Sequence, residues 1–426
     1  MLKTLNIDVH HVTRIEGHGN IHVEAADGRV LKAEWQVPEA PRFFEAMLRG
    51  RSYQDVQTVV CRVCGICSFA HSLASIKATE AAMGIEVSEQ TDRVRILAYG
   101  GEQLESHVLH VGYLVAPDLV GVNSVVNLVA SHPEVVKAVI RAHRLGNDWM
   151  ELLGGRRTHP VSFRPGGFGK LPTEAELKSL KERLEKIVPD LKLIAETVAA
   201  LAGRIPAFER PTEYIALAHD GVYTFYHGMI ASTDTPERLP VDRFEQVVNE
   251  FLVGQSTAKW ARWHRDSYAV GALARFKHNH ANLHPLAAQT AKMLGLTPQC
   301  CNPYFNSIAQ VVEAVEVVEA GLDQIEGLLA RGIKPEPPCK VKPRAGTGVG
   351  SVEAPRGILF HKYTYDDNGV CTAANICIPT NQNHANIQKD FEALVPQVLD
   401  GDEARVRLLL EMLVRAYDPC VSCSTH

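Results

Sequence analysis

The sequence lacks several features that would assign it to a common class of protein. Its most apolar stretch, residues 114–130, is interrupted by Pro117, Asp118, Asn123 and Asn127, whereas a membrane-spanning helix needs about 20 nearly continuous apolar residues. The 44 Lys and Arg do not exceed the 49 Asp and Glu, so no basic excess points to nucleic acid or an anionic membrane. Ten cysteines in 426 residues are too few for a disulfide scaffold.

Targeting and nucleotide-binding signals are absent as well. Residues 1–18 lack the apolar block and cleavage site of a secretory signal. The sequence has no Gly-x-Gly-x-x-Gly and no Walker motif, so any nucleotide chemistry is expected on another polypeptide. Together these absences predict a soluble protein without a membrane span, in a reducing compartment.

What the sequence does contain is a large core and mainly helical patterns. Apolar residues make up 46% of the chain and charged residues 22%, which excludes a disordered protein. We predict one domain over 1–426, with an N-terminal β-hairpin region at about 1–40, a helical body and a C-terminal metal-binding tail at 417–426.

Alternation and turn residues predict the strands. They are expected at Leu5–Val12, Asn20–Ala25, Val30–Val37, Gly357–Tyr365 and Val370–Ile378. The Pro-, Lys- and Gly-rich residues 333–350 are expected to form a surface loop.

Three- and four-residue apolar spacing predicts the helices. They are expected at 66–83, 91–114, 173–202, 308–330 and 403–416. Thr173 and Glu176 form a capping box, Pro189 is expected to kink or divide its helix, and Gly203 to end it. The fold class is therefore mainly α with small β-sheets at each end of the sequence (α+β).

Two Cys-x-x-Cys pairs lie near opposite ends of the chain, Cys64–Cys67 and Cys420–Cys423. Each pair brings two thiolates within reach of one soft or borderline metal ion. A structural zinc site is one interpretation, although zinc modules usually space their pairs about 15 to 20 residues apart. A thioredoxin-like disulfide is another, but it needs only one pair.

Four sequence blocks carry a resemblance to a known family. They are Arg14-Ile-Glu-Gly-His18, Arg62-Val-Cys-Gly-Ile-Cys67 with His71, Glu353-Ala-Pro-Arg-Gly357, and Asp418-Pro-Cys-Val-Ser-Cys-Ser-Thr-His426. In this order they resemble the large, catalytic subunit of a nickel–iron hydrogenase. The resemblance implies a helical bundle around a buried Ni–Fe centre whose iron carries carbon monoxide and cyanide. Cys64 and Cys420 resemble the terminal nickel thiolates, and Cys67 and Cys423 the bridging ones.

The resemblance also implies residues around the centre. Arg356, after Pro355, resembles the arginine beside the iron and its diatomic ligands, and Pro379 and Thr380 resemble the segment that packs around the cyanides. His71 and His110 resemble histidines that donate hydrogen bonds toward the cluster sulfurs or their surroundings. A buried anionic cluster needs such a cation and such donors.

Reversible heterolytic cleavage of H2 needs a Lewis-acidic metal and a nearby base for the proton. By resemblance the base is the Cys420 thiolate, with Arg356 as the competing proposal, and Glu16 matches the carboxylate at which the proton leaves. A magnesium site is implied as well, with Glu45, His426 and the backbone carbonyl near Ile376 as ligands. Because family precursors continue past this histidine, the chain resembles the processed form.

Electrons need a partner, because the remaining cysteines form no evident cluster motif of their own. Cys61 creates a run of three cysteines without the third spacing of a ferredoxin, and adjacent Cys300 and Cys301 do not suit one cluster. The resemblance implies a small subunit that carries iron–sulfur clusters, together with further electron-transfer subunits for a nucleotide, flavin or ferredoxin.

The length and the run at residues 382–390 resemble the soluble cytoplasmic bidirectional subgroup. Membership would imply a cytoplasmic enzyme that passes electrons to a soluble carrier such as NAD(P) or ferredoxin. Two alternatives stay open: a non-catalytic structural subunit of a respiratory-type redox complex, and a four-cysteine zinc scaffold.

Overall fold

Helices form most of the regular structure in the computed structural model, which describes residues 5–27, 29–337 and 339–426. In chain order the α-helices are α1 Phe44–Leu48, α2 Tyr53–Val60, α3 Ser68–Met83, α4 Glu89–Leu109, α5 Ala116–Val120, α6 Val125–Ser131, α7 Pro133–Gly154, α8 Glu174–Leu201, α9 Ala272–Asn279, α10 Pro285–Met293, α11 Phe305–Arg331, α12 Pro379–Val398, α13 Glu403–Ala416 and α14 Val421–Ser424. A π-helical segment, His110–Val115, continues α4.

The strands are short and form small sheets. In chain order they are β1 Leu5–Val9, β2 Asn20–Ala26, β3 Arg29–Gln36, β4 Phe163–Arg164, β5 Gly167–Phe168, β6 Glu213–Ala218, β7 Met229–Ser232, β8 Thr235–Leu239, β9 Asn249–Phe251, β10 Trp260–Arg262, β11 Tyr268–Ala269, β12 Gly346–Ala354, β13 Gly357–Tyr365 and β14 Cys371–Cys377. The larger sheets have the orders β1-β2-β3, β11-β6-β7-β8 and β12-β13-β14.

Most predicted elements are confirmed, and with them the α+β class. The N-terminal strands, the β13–β14 hairpin and the five long helices lie where the sequence patterns predict them, within a few residues at each end. The predicted capping box at the start of α8 is present, with Thr173 and Glu176 bonded in both directions.

Pro189, which was expected to kink or divide its helix, does not divide it, because α8 runs unbroken from Glu174 to Leu201. Pro189 lies on the exposed face of the helix. The carbonyl that loses its hydrogen bond there can be solvated by water, so the chain keeps its helical course.

The predicted small sheets near each end of the sequence are present, but the prediction of the strands is incomplete. A further sheet, built from β6, β7, β8 and β11, lies in the middle of the sequence. The predicted loop 333–350 ends early, because β12 begins at Gly346 and pairs along its whole length with β13.

The glycines of β12 bring the strand against the backbone of α3. A Cβ at Gly346, Gly348 or Gly350 would lie 2.2 Å from backbone atoms of α3. Only a residue without a side chain permits that approach. The contact fixes the start of α3, where Cys67 lies, relative to the end of β12, which leads into Arg356.

Four long helices, α4, α7, α8 and α11, pack together in the helical body. Fully buried Trp149 of α7 fits between Gly100 of α4 and Gly321 of α11. A Cβ atom added to either glycine would lie 2.8 or 2.7 Å from the Trp149 ring, respectively.

Within the described ranges no single helix is long and apolar enough to cross a membrane. One bent pair of helical segments, Glu89–Val120 and Val125–Ser131, meets the criteria of length and composition only when the two are taken together, and the angle between them is 66°.

The packing of β12 on α3 predicts that Gly348→Ala destabilises the protein. The added methyl group would lie 2.2 Å from the backbone nitrogen of Ala82, and backbone cannot rotate away, so we expect a loss of about 2 kcal/mol or more. Thermal unfolding of the purified chain measures this loss of stability as a lower melting temperature. Gly203→Ala is the matched control, because beyond its own turn and its chain neighbours no described atom lies within 4 Å of its Cβ position. Equal melting temperatures for the two variants would contradict the packing argument.

Candidate metal centre

Four cysteines from opposite ends of the chain meet at one buried point. The Sγ atoms of Cys64 and Cys420 are 3.5 Å apart, and those of Cys67 and Cys423 are 3.7 Å apart. All four sulfurs lie within 4.8 Å of one another, and each residue is at most 5% exposed. In the described part of the chain they form the only such cluster of candidate metal ligands.

The loop between α2 and α3 presents the first pair. Cys67 stands immediately before α3, and its N–H donates to Cys64 Sγ at 3.2 Å. The start of α3 is held by the buried carboxylate of Glu102, which accepts the N–H groups of Phe69 and Ala70 at 2.6 and 2.9 Å. This carboxylate takes the place of a side-chain cap. No sequence motif marks Glu102 for this role.

Arg42 joins the two cysteine segments directly. Its Nη2 donates to the carbonyl of Val63, before Cys64, at 2.6 Å, and to the carbonyl of Ser422, before Cys423. One guanidinium thereby fixes both segments relative to each other. No motif surrounds Arg42, so the sequence offered no signal for this role.

Glu16 lies against the C-terminal cysteine segment. Its carbonyl accepts the N–H of Val421 at 3.0 Å, and its carboxylate accepts the N–H of Ser422 at 3.1 Å together with the Ser422 hydroxyl. Glu16 is half-buried whereas Cys420 is 1% exposed. The carboxylate therefore lies between the sulfur site and the surface.

The segment that carries Glu16 is anchored by a buried ionic contact. Asp118 accepts hydrogen bonds from Arg14 at 2.5 Å and from Arg415 at 2.7 Å. Arg415 also donates to the carbonyl of Thr13 at 3.0 Å. The segment at Thr13 and Arg14 is thus fixed to α13, the helix that leads into the C-terminal tail.

Arg356 lies beside the sulfurs at the tip of the β12–β13 hairpin. It is 3% exposed, and its Nε and Nη2 donate to the carbonyl and carboxylate of Asp418 at 2.7 and 2.8 Å. Burial alone would lower the pKa of Arg356, but Asp418 and the neighbouring cysteines raise it well above its ordinary value. The guanidinium is therefore a permanent positive charge at the site.

Asp418 connects Arg356 to His110. Its Oδ2 accepts from Gln310 Nε2 at 3.0 Å, and Gln310 Oε1 lies 2.5 Å from His110 Nδ1. The other ring nitrogen of His110 lies 2.7 Å from the carbonyl of Arg415. Both nitrogens of His110 thus face this network and not a sulfur. Asp418 received no role from the sequence, although it stands two residues before Cys420.

The other residues predicted around the centre are buried nearby. Thr380 Oγ1 accepts the N–H of Cys420 at 3.0 Å, and Pro379 before it is the first residue of α12. Pro355 occupies the hairpin tip beside Arg356. His71 Nδ1 is hydrogen-bonded to His361 Nε2 at 3.1 Å, and burial lowers the pKa of His71 to about 4, so its ring is neutral.

The predicted magnesium ligands also approach one another. His426 Nε2 lies 3.5 Å from Glu45 Oε1 and, although its side chain is 1% exposed, has no hydrogen-bond partner among the described residues. The N–H of Ile376 donates to Glu45 Oε1 at 2.8 Å. Because the N–H and C=O of one residue point to the same edge of a strand, the Ile376 carbonyl faces this side too. An orphaned buried nitrogen beside a carboxylate and a carbonyl suits a divalent cation.

The four thiols do not suit a metal-free interior. Burial raises the pKa of Cys420 and Cys423 well above the ordinary value, whereas hydrogen bonds from the other three thiols lower that of Cys64. One thiolate is therefore stable beside three thiols, and four thiolates require cations. A single tetrahedral zinc would hold sulfurs about 3.8 Å apart, so distance alone admits either one metal or two.

Comparisons with known proteins show which proteins share this cysteine arrangement and this fold. A family model described as nickel-dependent hydrogenase matches residues 42–148 and 223–426, which include all four cysteines. A second model, described as HoxL-like, matches residues 6–40, which include Glu16.

Named relatives cover almost the whole chain. The alpha subunit of sulfhydrogenase 1 from Pyrococcus furiosus is 32% identical over 424 residues, which are 99% of this chain and 98% of that protein. The alpha subunit of sulfhydrogenase 2 from the same organism is 32% identical over 421 residues, again 99% of this chain and 98% of that protein.

Solved structures share the fold. An NAD+-reducing [NiFe]-hydrogenase in its H2-reduced state superimposes with a TM-score of 0.85 at 27% identity and covers 99% of both chains. A [NiFeSe]-hydrogenase from Dm. baculatum gives 0.81 at 21% identity over 100% of both chains, which supports the fold alone.

The geometry predicts that Cys64→Ser and Cys420→Ser each abolish nickel binding and H2 oxidation. Either change removes one of four converging sulfurs and replaces it with a hard, poorly acidic hydroxyl. Nickel per chain by mass spectrometry and H2-dependent dye reduction measure the two losses. Cys300→Ser, at a half-exposed position outside the cluster, serves as control and should keep both. Normal nickel content without the Cys64 or Cys420 thiol would contradict the assignment.

Proposed function

The chain belongs to the nickel-dependent hydrogenase family, as an oxidoreductase that acts on H2, and we propose that four cysteines, Arg356 and Glu16 divide this reaction between them. Cys64, Cys67, Cys420 and Cys423 hold the metals, Arg356 balances their charge, and Glu16 passes protons. The observation that carries this proposal is the convergence of all four sulfurs within 4.8 Å in a buried site.

The metals would be nickel and iron, with carbon monoxide and cyanide on the iron. When bound, this group would supply the Lewis-acid and redox chemistry for reversible heterolytic cleavage of H2. Cys64 and Cys420 would hold the nickel, and Cys67 and Cys423 would hold both metals. The buried charge of Arg356, fixed by Asp418, favours small anionic ligands beside it. Pro355, Pro379 and Thr380 exclude water from the same side.

The chain's own groups move the proton. We assign the first acceptor to the Cys420 thiolate and the next carrier to Glu16. Arg356, the competing acceptor suggested by the resemblance, is already protonated, because its pKa is raised well above its ordinary value, so it cannot accept the proton. The main chains of Glu16 and Cys420 are paired as neighbours in a parallel bridge, and the Glu16 carboxylate is half-buried. Ser422, whose hydroxyl donates to that carboxylate, keeps it oriented between the interior and the surface.

A magnesium ion between Glu45, His426 and the Ile376 carbonyl would fasten the C-terminal tail to β14. His426 Nε2 supports this site, because it makes no hydrogen bond within the described part of the chain and lies 3.5 Å from Glu45 Oε1. Lys259 Nζ lies 3.9 Å from Glu45 Oε1 but donates to Glu250 at 2.7 Å, which leaves Glu45 able to bind a metal.

Electrons leave through the face beside the first cysteine pair to a small subunit that carries iron–sulfur clusters. There the cover over the sulfurs is thin, because Gly65 and Arg62 on the loop itself are exposed. Val161, 50% exposed, lines a cavity of about 490 Å³ next to this loop. An exposed loop that lies directly over a redox centre suits contact with an electron-accepting partner.

The final electron carrier is proposed to be soluble, such as NAD(P) or ferredoxin, reached through further subunits in the cytoplasm. The similarity to the NAD+-reducing enzyme and to named alpha subunits supports this. We also propose that residues 1–426 act as one domain, since the site takes residues from both ends of the chain and from its middle.

The experiment that tests the function combines metal analysis with infrared spectroscopy. We expect about one nickel per chain, together with iron and absorption bands in the carbonyl and cyanide stretching region. A structural zinc scaffold would contain zinc and no such bands, and a non-catalytic relative would contain no nickel. Either result on properly matured protein would reject the hydrogenase assignment for this site.

The position of Glu16 predicts that Glu16→Gln blocks proton transfer while the metals stay bound. The amide keeps hydrogen bonds to Ser422 but cannot release a proton at neutral pH. We expect H2/D2O isotope exchange to fall by about 100-fold, with unchanged infrared bands and nickel. Glu24→Gln, on half-buried β2 away from the sulfurs, is the control. Unaltered exchange in the Glu16 variant would remove Glu16 from the proton route.

A further inference from the structure

Arg275 is a buried cation that none of the steps above uses. It lies in the first turn of α9 and is 0% exposed. Its Nε and Nη2 donate to the two carboxylate oxygens of Glu313 at 2.7 and 2.6 Å, and its Nη1 donates to Glu353 at 3.1 Å. A guanidinium held by two carboxylates in the interior has one geometry only.

The same guanidinium also holds the main chain that carries Arg356. Nη1 donates to the carbonyl of Ala354 and Nη2 to the carbonyl of Pro355, both at 2.9 Å. These are the two residues directly before Arg356. Arg275 therefore contacts the hairpin tip from behind, on the side of α9.

The tip itself has little freedom to shift. Ala354 pairs with Gly357, so Pro355 and Arg356 form a two-residue turn, and Gly357 has a φ of +134°. A Cβ on Gly357 would lie 2.9 Å from the nitrogen of Gly271, just before α9. The turn thus rests directly on the N-terminal end of α9, and Arg275 bonds it there.

We propose that Arg275 is a positioning residue, which sets the place of the Arg356 guanidinium at the four-cysteine site through the carbonyls of Ala354 and Pro355. This inference rests on the proposed function, since Arg356 matters only if that site is the catalytic one. Arg275 touches neither a sulfur nor Arg356's side-chain partner Asp418 in the contacts described above.

The charges of Arg275 and Glu313 hold this arrangement near neutral pH, whereas burial raises the pKa of Glu353 to about 7. Burial would raise the pKa of Glu313, but the charge of Arg275 lowers it to about 2. His107 and Tyr223 also hydrogen-bond the Glu313 carboxylate, at 2.8 and 2.7 Å. Lysine at position 275 would supply three donors without the planar fork, so it could not serve both carboxylates and both carbonyls.

A second arginine in this chain provides a matched control. Arg95 is 1% exposed and donates to both oxygens of Glu80, at 2.9 and 2.6 Å, and to the carbonyl of Arg164 at 2.9 Å. It is thus bound like Arg275, but its hydrogen bonds within the described residues reach no part of the hairpin tip. A purely structural role for Arg275 predicts that Arg275→Lys and Arg95→Lys behave alike.

The test compares these two variants in the complete, metal-loaded enzyme. We expect both to retain nickel, and only Arg275→Lys to shift the carbonyl and cyanide infrared bands and to lower kcat for H2 oxidation by about ten- to a hundredfold. Unshifted bands with normal kcat in Arg275→Lys, or equal shifts in Arg95→Lys, would overturn the inference.

A milder pair covers the case in which Arg275→Lys does not fold or bind nickel. Glu353→Gln removes the charge of one of the two carboxyl groups that bind Arg275, and Glu80→Gln removes the charge of the carboxylate that binds Arg95. We expect a smaller band shift in Glu353→Gln and none in Glu80→Gln; no difference between them would overturn the inference. If the unaltered enzyme lacks nickel and infrared bands, the proposed function itself fails, which is a separate outcome.

Discussion

Four thiolates gathered away from water are stable only beside positive charge, and much of this structure serves that requirement. Four sulfurs within 4.8 Å would repel one another strongly in a medium of low dielectric constant. Bound metal ions would supply positive charge here, and the buried Arg356 guanidinium adds one positive charge from the protein itself. Arg356 is in turn fixed by Asp418 on one side and, through its backbone, by Arg275 on the other. A centre of this kind therefore needs a wide shell of oriented polar groups.

The sequence predicted the residues of the site that stand in compact motifs, because such motifs place several reactive groups within a few positions. The cysteine pairs, Glu16 and Arg356 are of this kind, and the structure brings them together. Arg42 and Glu102 are isolated in the sequence, and their partners are backbone groups of distant segments. No local pattern reveals such contacts, because the residues that flank Arg42 and Glu102 in the sequence do not differ from those that flank other arginines and helical glutamates.

The fold was predictable wherever periodicity is strong, as in α8, α11 and α13. It was not predictable where one residue type has two uses. Glycine is common in turns, so the glycines at 346, 348 and 350 predict a loop from sequence alone. In the structure they lie in β12 and allow its backbone to contact that of α3 closely. The central strands escaped notice because several are only two to four residues long, too short for alternation to be visible. The single-domain organisation stays a prediction.

The contact between β12 and α3 has a consequence for how this protein can vary. Gly346, Gly348 and Gly350 meet main-chain atoms of the helix, and main-chain atoms are the same whatever residue the helix carries. A substitution in the strand therefore has no compensating substitution in its partner. Evolutionary drift and laboratory recombination alike must leave this pair of elements intact, so chimeras that exchange segments between related enzymes should place their junctions elsewhere.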